Sequence, residues 1–314
     1  MKNKNVLVTG GAGFIGSNTV EKLIDDNSVT VIDNLSNVPD DRFIARFKKN
    51  MGFRFLKRDI TDPLTFSDLE DFDVVIHLAA HSDVRGGYED PDIDFKQNII
   101  GTKNVLDFIK RKGIKELIFS SSSAAYGEAK SCPTPEDYGP CIPISTYGAT
   151  KLACEGLISA YSAYYGINAS IYRFANVVGK NSTHGVIIDF INRLRKDKKK
   201  LEILGDGNQE KSYIYVSDCV GSMLSIHERT KGVRIVNLGN HSTTSVKAIA
   251  SIVESEMGLH DVKHVFIGEK DGRGWKGDVR KMQLDIRKME EEGWKNDYSS
   301  DDAVRKAVKD ILSQ

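Results

Sequence analysis

The first half of the chain alternates short apolar blocks with longer stretches whose apolar residues recur at helical spacing. Val6-Leu7-Val8-Thr9, Ser28 to Ile32, Phe53 to Leu56, Asp73 to Leu78 and Glu116 to Ser120 are the blocks. Each is too short for a stable helix and most are nearly unbroken in hydrophobicity, which predicts strands covered on both faces. Between them, Val20, Leu23 and Ile24 mark one helix, and Phe95 to Arg111 marks the clearest other. Strand and helix in alternation predict an α/β fold built on a doubly wound parallel sheet. Such sheets bind ligands beyond the carboxyl ends of their strands. Asp59-Ile60, Leu78-Ala79-Ala80 and Ser120 to Ser123 fall at those ends. Their small side chains leave room for a cofactor, and they also suit plain tight turns. Further on, Ala169 to Phe174 predicts another strand and Val233 to Leu238 a final one, while Asp301 to Leu312 reads as an amphipathic structural helix.

The first strand runs directly into Gly10-Gly11-Ala12-Gly13-Phe14-Ile15-Gly16. Glycines at 11, 13 and 16 fit G-x-G-x-x-G, and those at 10, 13 and 16 fit G-x-x-G-x-x-G. Glycine at such a turn adopts backbone angles closed to other residues and lets the main chain approach a pyrophosphate at a helix N-terminus. An ordinary βα turn can carry the same pattern. Here the second strand ends in Asp33, at the distance expected of a ribose-binding carboxylate. An acidic residue there predicts NAD rather than NADP, because it would repel a 2′-phosphate.

Length changes the picture next. A chain of 314 residues exceeds the usual single core. The expected division is a dinucleotide-binding domain over 1–175, with a returning strand near 233–240, and a smaller α/β lobe over 176–314. Lys plus Arg number 44 and Asp plus Glu 44, so no global field points to nucleic acid or membrane. The basic run Arg193 to Lys200 reads as the solvated end of a helix. Cys132, Cys141, Cys154 and Cys219 show no metal-ligand spacing and fit free thiols in a reducing compartment, although Cys132 and Cys141 share one loop and could pair. Only five polar residues precede the first strand, too few for a signal peptide, and no apolar run reaches membrane-spanning length. A cytoplasmic location is expected.

Ser145-Thr146-Tyr147-Gly148-Ala149-Thr150-Lys151 lies between a proline-rich loop and the apolar-periodic run Leu152, Leu157, Ile158, Tyr161, Tyr164. It reads as the start of a helix capped by Ser145 or Thr146. Tyr147 and Lys151 are then one turn apart on a single face. A free phenol titrates near pH ~10 and is a poor base at neutrality. A fixed ammonium beside it is expected to lower that value and make Tyr147 a usable proton acceptor. Y-x-x-x-K by itself also describes a surface tyrosine and a solvated lysine.

Taken in order, Thr9 to Gly16, Asp33-Asn34, Asp59-Ile60, His77 to Ala80, Asn98, Ser120 to Gly127 and Tyr147-x-x-x-Lys151 resemble the extended short-chain dehydrogenases, specifically the NAD-dependent nucleotide-sugar epimerases and dehydratases. The resemblance covers almost the whole chain. It implies a Rossmann domain with a C-terminal sugar-nucleotide lobe, tightly bound NAD and a homodimer formed by the helices from Phe95 and Tyr147. It implies that Ser122 hydrogen-bonds the reacting hydroxyl, that Tyr147 is the acid–base, and that Lys151 holds the nicotinamide ribose and tunes Tyr147. Gly10, Gly13, Phe14, Ile15, Asp33 and Asn34 become expected cofactor contacts. So do Asp59, Ile60, Leu78, Ala79, Ala80, Asn98, Ser120 and Phe174.

Relatives that eliminate water or lose carboxylate generally carry an acidic residue after the serine. This chain has Ser123, Ala124 and Ala125 there, which favours 4-epimerisation: oxidation at sugar C4, rotation of the 4-keto sugar about its pyrophosphate link, and reduction from the other face, with NAD regenerated. The resemblance implies a UDP-sugar, either glucose/galactose or the N-acetyl forms. A uronate epimerase, a GDP-sugar reductase and a non-catalytic NAD-binding sensor stay open. For the sugar nucleotide, the same resemblance points to Ser123, Asn176, Gly185, Val186, Leu204, Lys211 and Tyr213. Asn176 equally suits a turn, and Lys211 stands where many relatives carry Arg. Arg273 fits a diphosphate clamp, since its fork donates two hydrogen bonds at once. Met282 falls where relatives border the C2 substituent of the sugar. Its flexibility would admit an N-acetyl group, or it packs the lobe.

Overall fold

The computed structural model describes residues 1–268, 271–275 and 277–314; Lys276, in the stretch around Arg273, lies outside them. The strands of the first half are β1 (Asn5–Thr9), β2 (Ser28–Asp33), β3 (Phe53–Lys57), β4 (Val74–His77), β5 (Glu116–Ser122) and β6 (Asn168–Phe174). Then follow β7 (Asn176–Val178), β8 (Lys200–Leu204), β9 (Glu210–Lys211), β10 (Tyr213–Tyr215) and β11 (Val233–Leu238), with β12 (Thr244–Ser245), β13 (Lys263–Ile267) and β14 (Lys281–Met282) last.

Seven strands make the central sheet in the order β11-β6-β5-β4-β1-β2-β3. Val6 pairs with Val29 on one side and Val74 on the other, both in parallel register. The chain winds outward from β1 through β2 to β3, then returns to β1's other side as β4. Strand order therefore reverses between β1 and β4, and in such sheets that reversal opens a crevice at the strands' carboxyl ends. Leu7, Ile32, Val75, Leu117 and Phe119 from these strands pack with Phe66, Phe108, Ile109 and Ile158 from the covering helices and turns. Each such side chain stabilises by ~1.5–3 kcal/mol on burial, which is why unbroken apolar strands suit this position.

The helix expected over Phe95 to Arg111 exists, but its first turn, Phe95–Ile100, is a wide π turn before regular helix over Gly101–Lys112. Gly101 lies against Ile60, where a Cβ would come within 2.5 Å of the isoleucine Cδ1. Gly113, at φ +68°, ends the helix in the left-handed conformation. The Thr146–Tyr165 helix begins at Ser145, whose Oγ accepts from Gly148 N at 3.1 Å.

The chain divides into two compact units. One comprises Met1–Gly127, Gly139–Arg173 and Val220–Val236; the other comprises Glu128–Tyr138, Phe174–Cys219 and Asn237–Gln314. Two segments thus depart from a simple division at residue 175. Glu128–Tyr138 belongs with the later residues, and the returning segment begins in the helix ahead of β11, because a strand that joins the sheet beside β6 brings its preceding segment with it. In the second unit β13 pairs with β8, β10 with β7, and β12-β9-β14 form a three-stranded sheet. Among the described residues all four cysteines are free thiols, no acidic, His or Cys cluster suits a metal, and no helix is long and apolar enough to cross a membrane.

Candidate active site

The glycine turn after β1 is shaped by close approach. Gly10 has φ +72°, and a Cβ there would meet Ala79 N at 2.6 Å. A Cβ on Gly16 would fall 2.0 Å from Gly10 O. Gly13 caps the Phe14–Leu23 helix without any side-chain hydrogen bond, and no acidic residue occupies its first turn. Phe14 and Ile15, both half-buried, open that helix. The bare positive end of a helix beside a turn without side chains fits a dinucleotide's pyrophosphate. Asp33, closing β2, accepts from Ala12 N at 3.0 Å and Leu35 N at 2.8 Å. Burial pushes its carboxyl above the usual range despite these bonds. The acid is therefore fastened to the same turn, as a ribose contact requires.

Asn34 Nδ2 donates to Asp59 Oδ2 at 3.0 Å, linking the ends of β2 and β3. Burial works against the Asp59 charge, but bonds from Thr61, Asn34 and Gln97 outweigh it and hold the carboxyl below its ordinary value. Ile60 is a core residue. Leu78 and Ala80, like Ala79, stay half-exposed past β4. Asn98 is buried, and its amide is engaged inside the protein: it accepts from His81 N at 2.9 Å and donates to Thr150 Oγ1 at 3.0 Å. It ties the segment after β4 to the Thr146–Tyr165 helix.

Ser120, Ser122, Tyr147 and Lys151 come together at the end of β5. Ser122 is hydrogen-bonded to the Tyr147 phenol, and its Oγ accepts from Ala124 N at 3.1 Å in the turn that holds Ser123. Lys151 Nζ donates to Ser120 O at 2.7 Å and lies 4.8 Å from the Phe119 ring centroid. The expected lowering of the Tyr147 pKa is not found. Burial pushes the phenol up to about 12; the Ser122 bond opposes this and the Asp94 carboxylate adds to it. The Lys151 ammonium lies 5.8 Å from the Tyr147 ring centroid and is directed to Ser120 O. Lys151 itself is pushed down to about 8 by burial, against Cys154, Glu155 and Asp94.

Several supporting groups carry no motif. His77, pushed down to about 3 by burial and by Lys151, is neutral and bridges Thr9 Oγ1 at 2.7 Å and Thr102 Oγ1 at 2.9 Å. His81 Nδ1 pairs with Asp94 at 2.7 Å, and Asp94 accepts from Thr146 Oγ1 at 2.6 Å. Glu155 and Arg173 form a buried pair. One signal was available for Glu155: it stands one turn beyond Lys151 on the same helical face.

In the second unit, Lys211 Nζ pairs with Asp278 at 2.8 Å, and that aspartate is only 2% exposed. Lys211 also lies 5.7 Å from the Trp275 ring centroid. Met282 stands opposite Lys211 in the β14–β9 register. Tyr213, on β10, is buried, and burial with Asp278 raises its pKa. Leu204 ends β8, and its carbonyl accepts from Gln209 Nε2 at 3.0 Å. Asn176 N donates to Ser212 O at 3.2 Å, while its Nδ2 is buried without a partner, a donor left over for a ligand or a water. Gly185, exposed at φ +104°, precedes the helix opened by Val186. Arg273 is held by Glu128 at 2.6 Å, Asp271 at 2.7 Å and the Asp278 carbonyl at 2.5 Å. Phe174 is buried at the end of β6.

A parallel sheet with this strand order and a glycine turn at its switch point defines an α/β protein of the dinucleotide-binding class. Residues 6–239 match the model of the NAD dependent epimerase/dehydratase family, and the chain belongs to that family. A UDP-glucuronate 4-epimerase of Thermodesulfobacterium geofontis is 31% identical, covering 96% of this chain and 94% of its own. The solved UDP-N-acetylglucosamine 4-epimerase of Methanobrevibacter ruminantium superimposes with TM-score 0.89 at 31% identity, covering 100% of both chains. UDP-glucose 4-epimerase of Thermus thermophilus, solved with NAD, gives 0.85 at 28%, covering 98% of this chain and 99% of its own. The protein is an epimerase/dehydratase family enzyme acting with NAD.

Proposed function

We propose that the protein interconverts the C4 epimers of a UDP-sugar, glucose/galactose or their N-acetyl forms, through a transient 4-keto sugar. The observation that carries this reading is the Ser122–Tyr147 hydrogen bond followed by Ser123, Ala124 and Ala125, so that no acidic residue directly follows the serine. NAD, when bound, supplies the hydride acceptor and donor and a positive ring charge. Tyr147 takes the proton of the 4-hydroxyl, and Ser122 bridges that hydroxyl and the phenol. Burial pushes Tyr147 up to about 12, so it is a phenol at neutral pH; a cofactor's positive charge would favour the phenolate. Lys151, an ammonium at pH 7, adds to that bias. Asp33 and the bare N-terminus at Gly13 support dinucleotide binding.

For the sugar nucleotide, Arg273 can meet a diphosphate only by exchanging its bonds to Glu128 and Asp271 for phosphate oxygens. The orphan Asn176 amide supports a second contact. Exposed Tyr88, Phe95 and Tyr164 lie on or beside the helices expected to pair in a homodimer. Tyr147→Phe keeps the ring and removes the acceptor. Turnover of UDP-glucose and UDP-N-acetylglucosamine, followed by chromatography of the products, is expected to fall by ~10²–10⁴ with NAD still bound. Near-normal turnover in this variant refutes the assignment of the base. UDP-glucuronate as a third substrate tests the uronate alternative.

A further inference from the structure

The steps above leave unused a charged pair, Glu155 and Arg173. Arg173 Nε and Nη2 donate to Glu155 Oε1 and Oε2 at 3.0 and 2.6 Å, and both side chains are only 5% exposed. Desolvating such a pair costs much of what its attraction returns, so bulk stability is a poor reason for it. Its place in the site supplies a better one. On one face of the Thr146–Tyr165 helix, Tyr147, Lys151 and Glu155 follow at successive turns. Each reaches the tail of β5. Tyr147 meets the Ser122 hydroxyl, Lys151 Nζ meets Ser120 O at 2.7 Å, and Glu155 accepts from the Ser121 hydroxyl. Three consecutive serines are thus pinned to one helical face.

We propose that Glu155, clamped by Arg173, is a positioning residue: it holds the Ser120–Ser122 strand end against the helix and sets its carboxylate one helical turn from the Lys151 side chain. The proposal rests on Ser122, Tyr147 and Lys151 being the reacting groups. Glu155 is one of three groups that favour the Lys151 charge, with Cys154 on the same helix and Asp94 from the Pro91–Asp94 turn. Asp94 is itself paired with His81. His77 on β4 is neutral, the Phe119 ring of β5 faces the ammonium, and Tyr147 is a phenol. Arg173 on β6 directs its charge to Glu155 and lies 4.4 Å from the Tyr126 ring centroid.

Glu155→Gln keeps an acceptor for Ser121 and removes the charge. Lys151 then loses an attractive neighbour one helical turn away, so its proton leaves at lower pH. The Lys151 midpoint, read by NMR of ¹³Cε-labelled lysine and assigned by its absence in Lys151→Met, is expected to fall by about one unit. The alkaline limb of the kcat–pH profile falls with it, while KM stays within about twofold. Glu155→Gln/Arg173→Met, made in parallel, avoids burying the Arg173 charge without its carboxylate, and predicts the same direction. Ser121→Ala is expected to lower kcat about tenfold with the Lys151 midpoint unmoved. A purely structural pair would lower stability without moving the midpoint. An unmoved midpoint in the folded Glu155 variants overturns the proposal, as does full kcat in Ser121→Ala. A lowered midpoint in a protein whose parent shows no 4-epimerase turnover supports the role of Glu155 and removes the epimerase reading instead.

Discussion

Lys151→Met is expected to stabilise the ligand-free protein while abolishing turnover. Lys151 is 2% exposed, and burial carries its pKa from 10.5 down to about 8. At about 1.4 kcal/mol per unit, keeping this ammonium buried costs about 3 kcal/mol. The sign follows from proton counting. Between about pH 8 and 10.5 the unfolded chain holds the proton and the folded one does not, so stability rises with pH across that window. Below it the full cost is present. Methionine fills similar space without charge, but it loses the bond to Ser120 O, worth about 1 kcal/mol. The carboxylates near Lys151 keep their own partners, Arg173 and His81. The variant should therefore exceed the parent by about 2 kcal/mol at pH 7, and the advantage should vanish by pH ~10. Urea unfolding of both ligand-free proteins, at equal concentration and at the two pH values, measures this. A variant less stable than the parent at pH 7, or an offset identical at both pH values, refutes the reasoning. Confirmation would mean that stability is given up for the reactive site.

Three further outcomes are open to measurement. The parent is expected to bind NAD more tightly than NADP by calorimetry, and Asp33→Ala to weaken NAD and narrow the difference; equal affinity of the parent for both cofactors contradicts the role of Asp33. Sedimentation at micromolar concentration is expected to show a dimer, formed through the faces bearing Phe95 and Tyr164, and a monomer there rejects that interface. Met282→Tyr is expected to reduce turnover of UDP-N-acetylglucosamine at least tenfold more than that of UDP-glucose; parallel losses on both sugars show that Met282 only packs the lobe.

Much of this was legible in the chain because it depends on local pattern. Unbroken apolar blocks determine strands wherever both faces are covered, and glycine at 16 is demanded by an approach to Gly10 O within one turn, whereas glycine at 10 answers to Ala79, remote in the chain. The place of Asp33 follows from where the second apolar block ends. Ser145 caps its helix, as read, because the capping bond spans three residues. The face shared by Tyr147, Lys151 and Glu155 is a matter of helical period. Local pattern also misleads: Phe95 to Arg111 shows ordinary helical spacing, yet its first turn is a π turn followed by a glycine packed on Ile60.

The protonation of the site was decided elsewhere. From Tyr147-x-x-x-Lys151 alone, proximity of the ammonium predicts a lowered phenol, whereas burial and the Asp94 carboxylate, brought in from a distant turn, raise it to about 12. The same burial moves Lys151 the opposite way, because it disfavours the charged form of either group. Glu155 and Arg173 meet only because β6 lies beside β5 in the sheet. The sequence by itself determined which residues can share a strand end or a helical face, since those relations are set within a few residues. Which charges they feel depends on solvent exclusion and on groups remote in the chain, and only the tertiary structure brings those together.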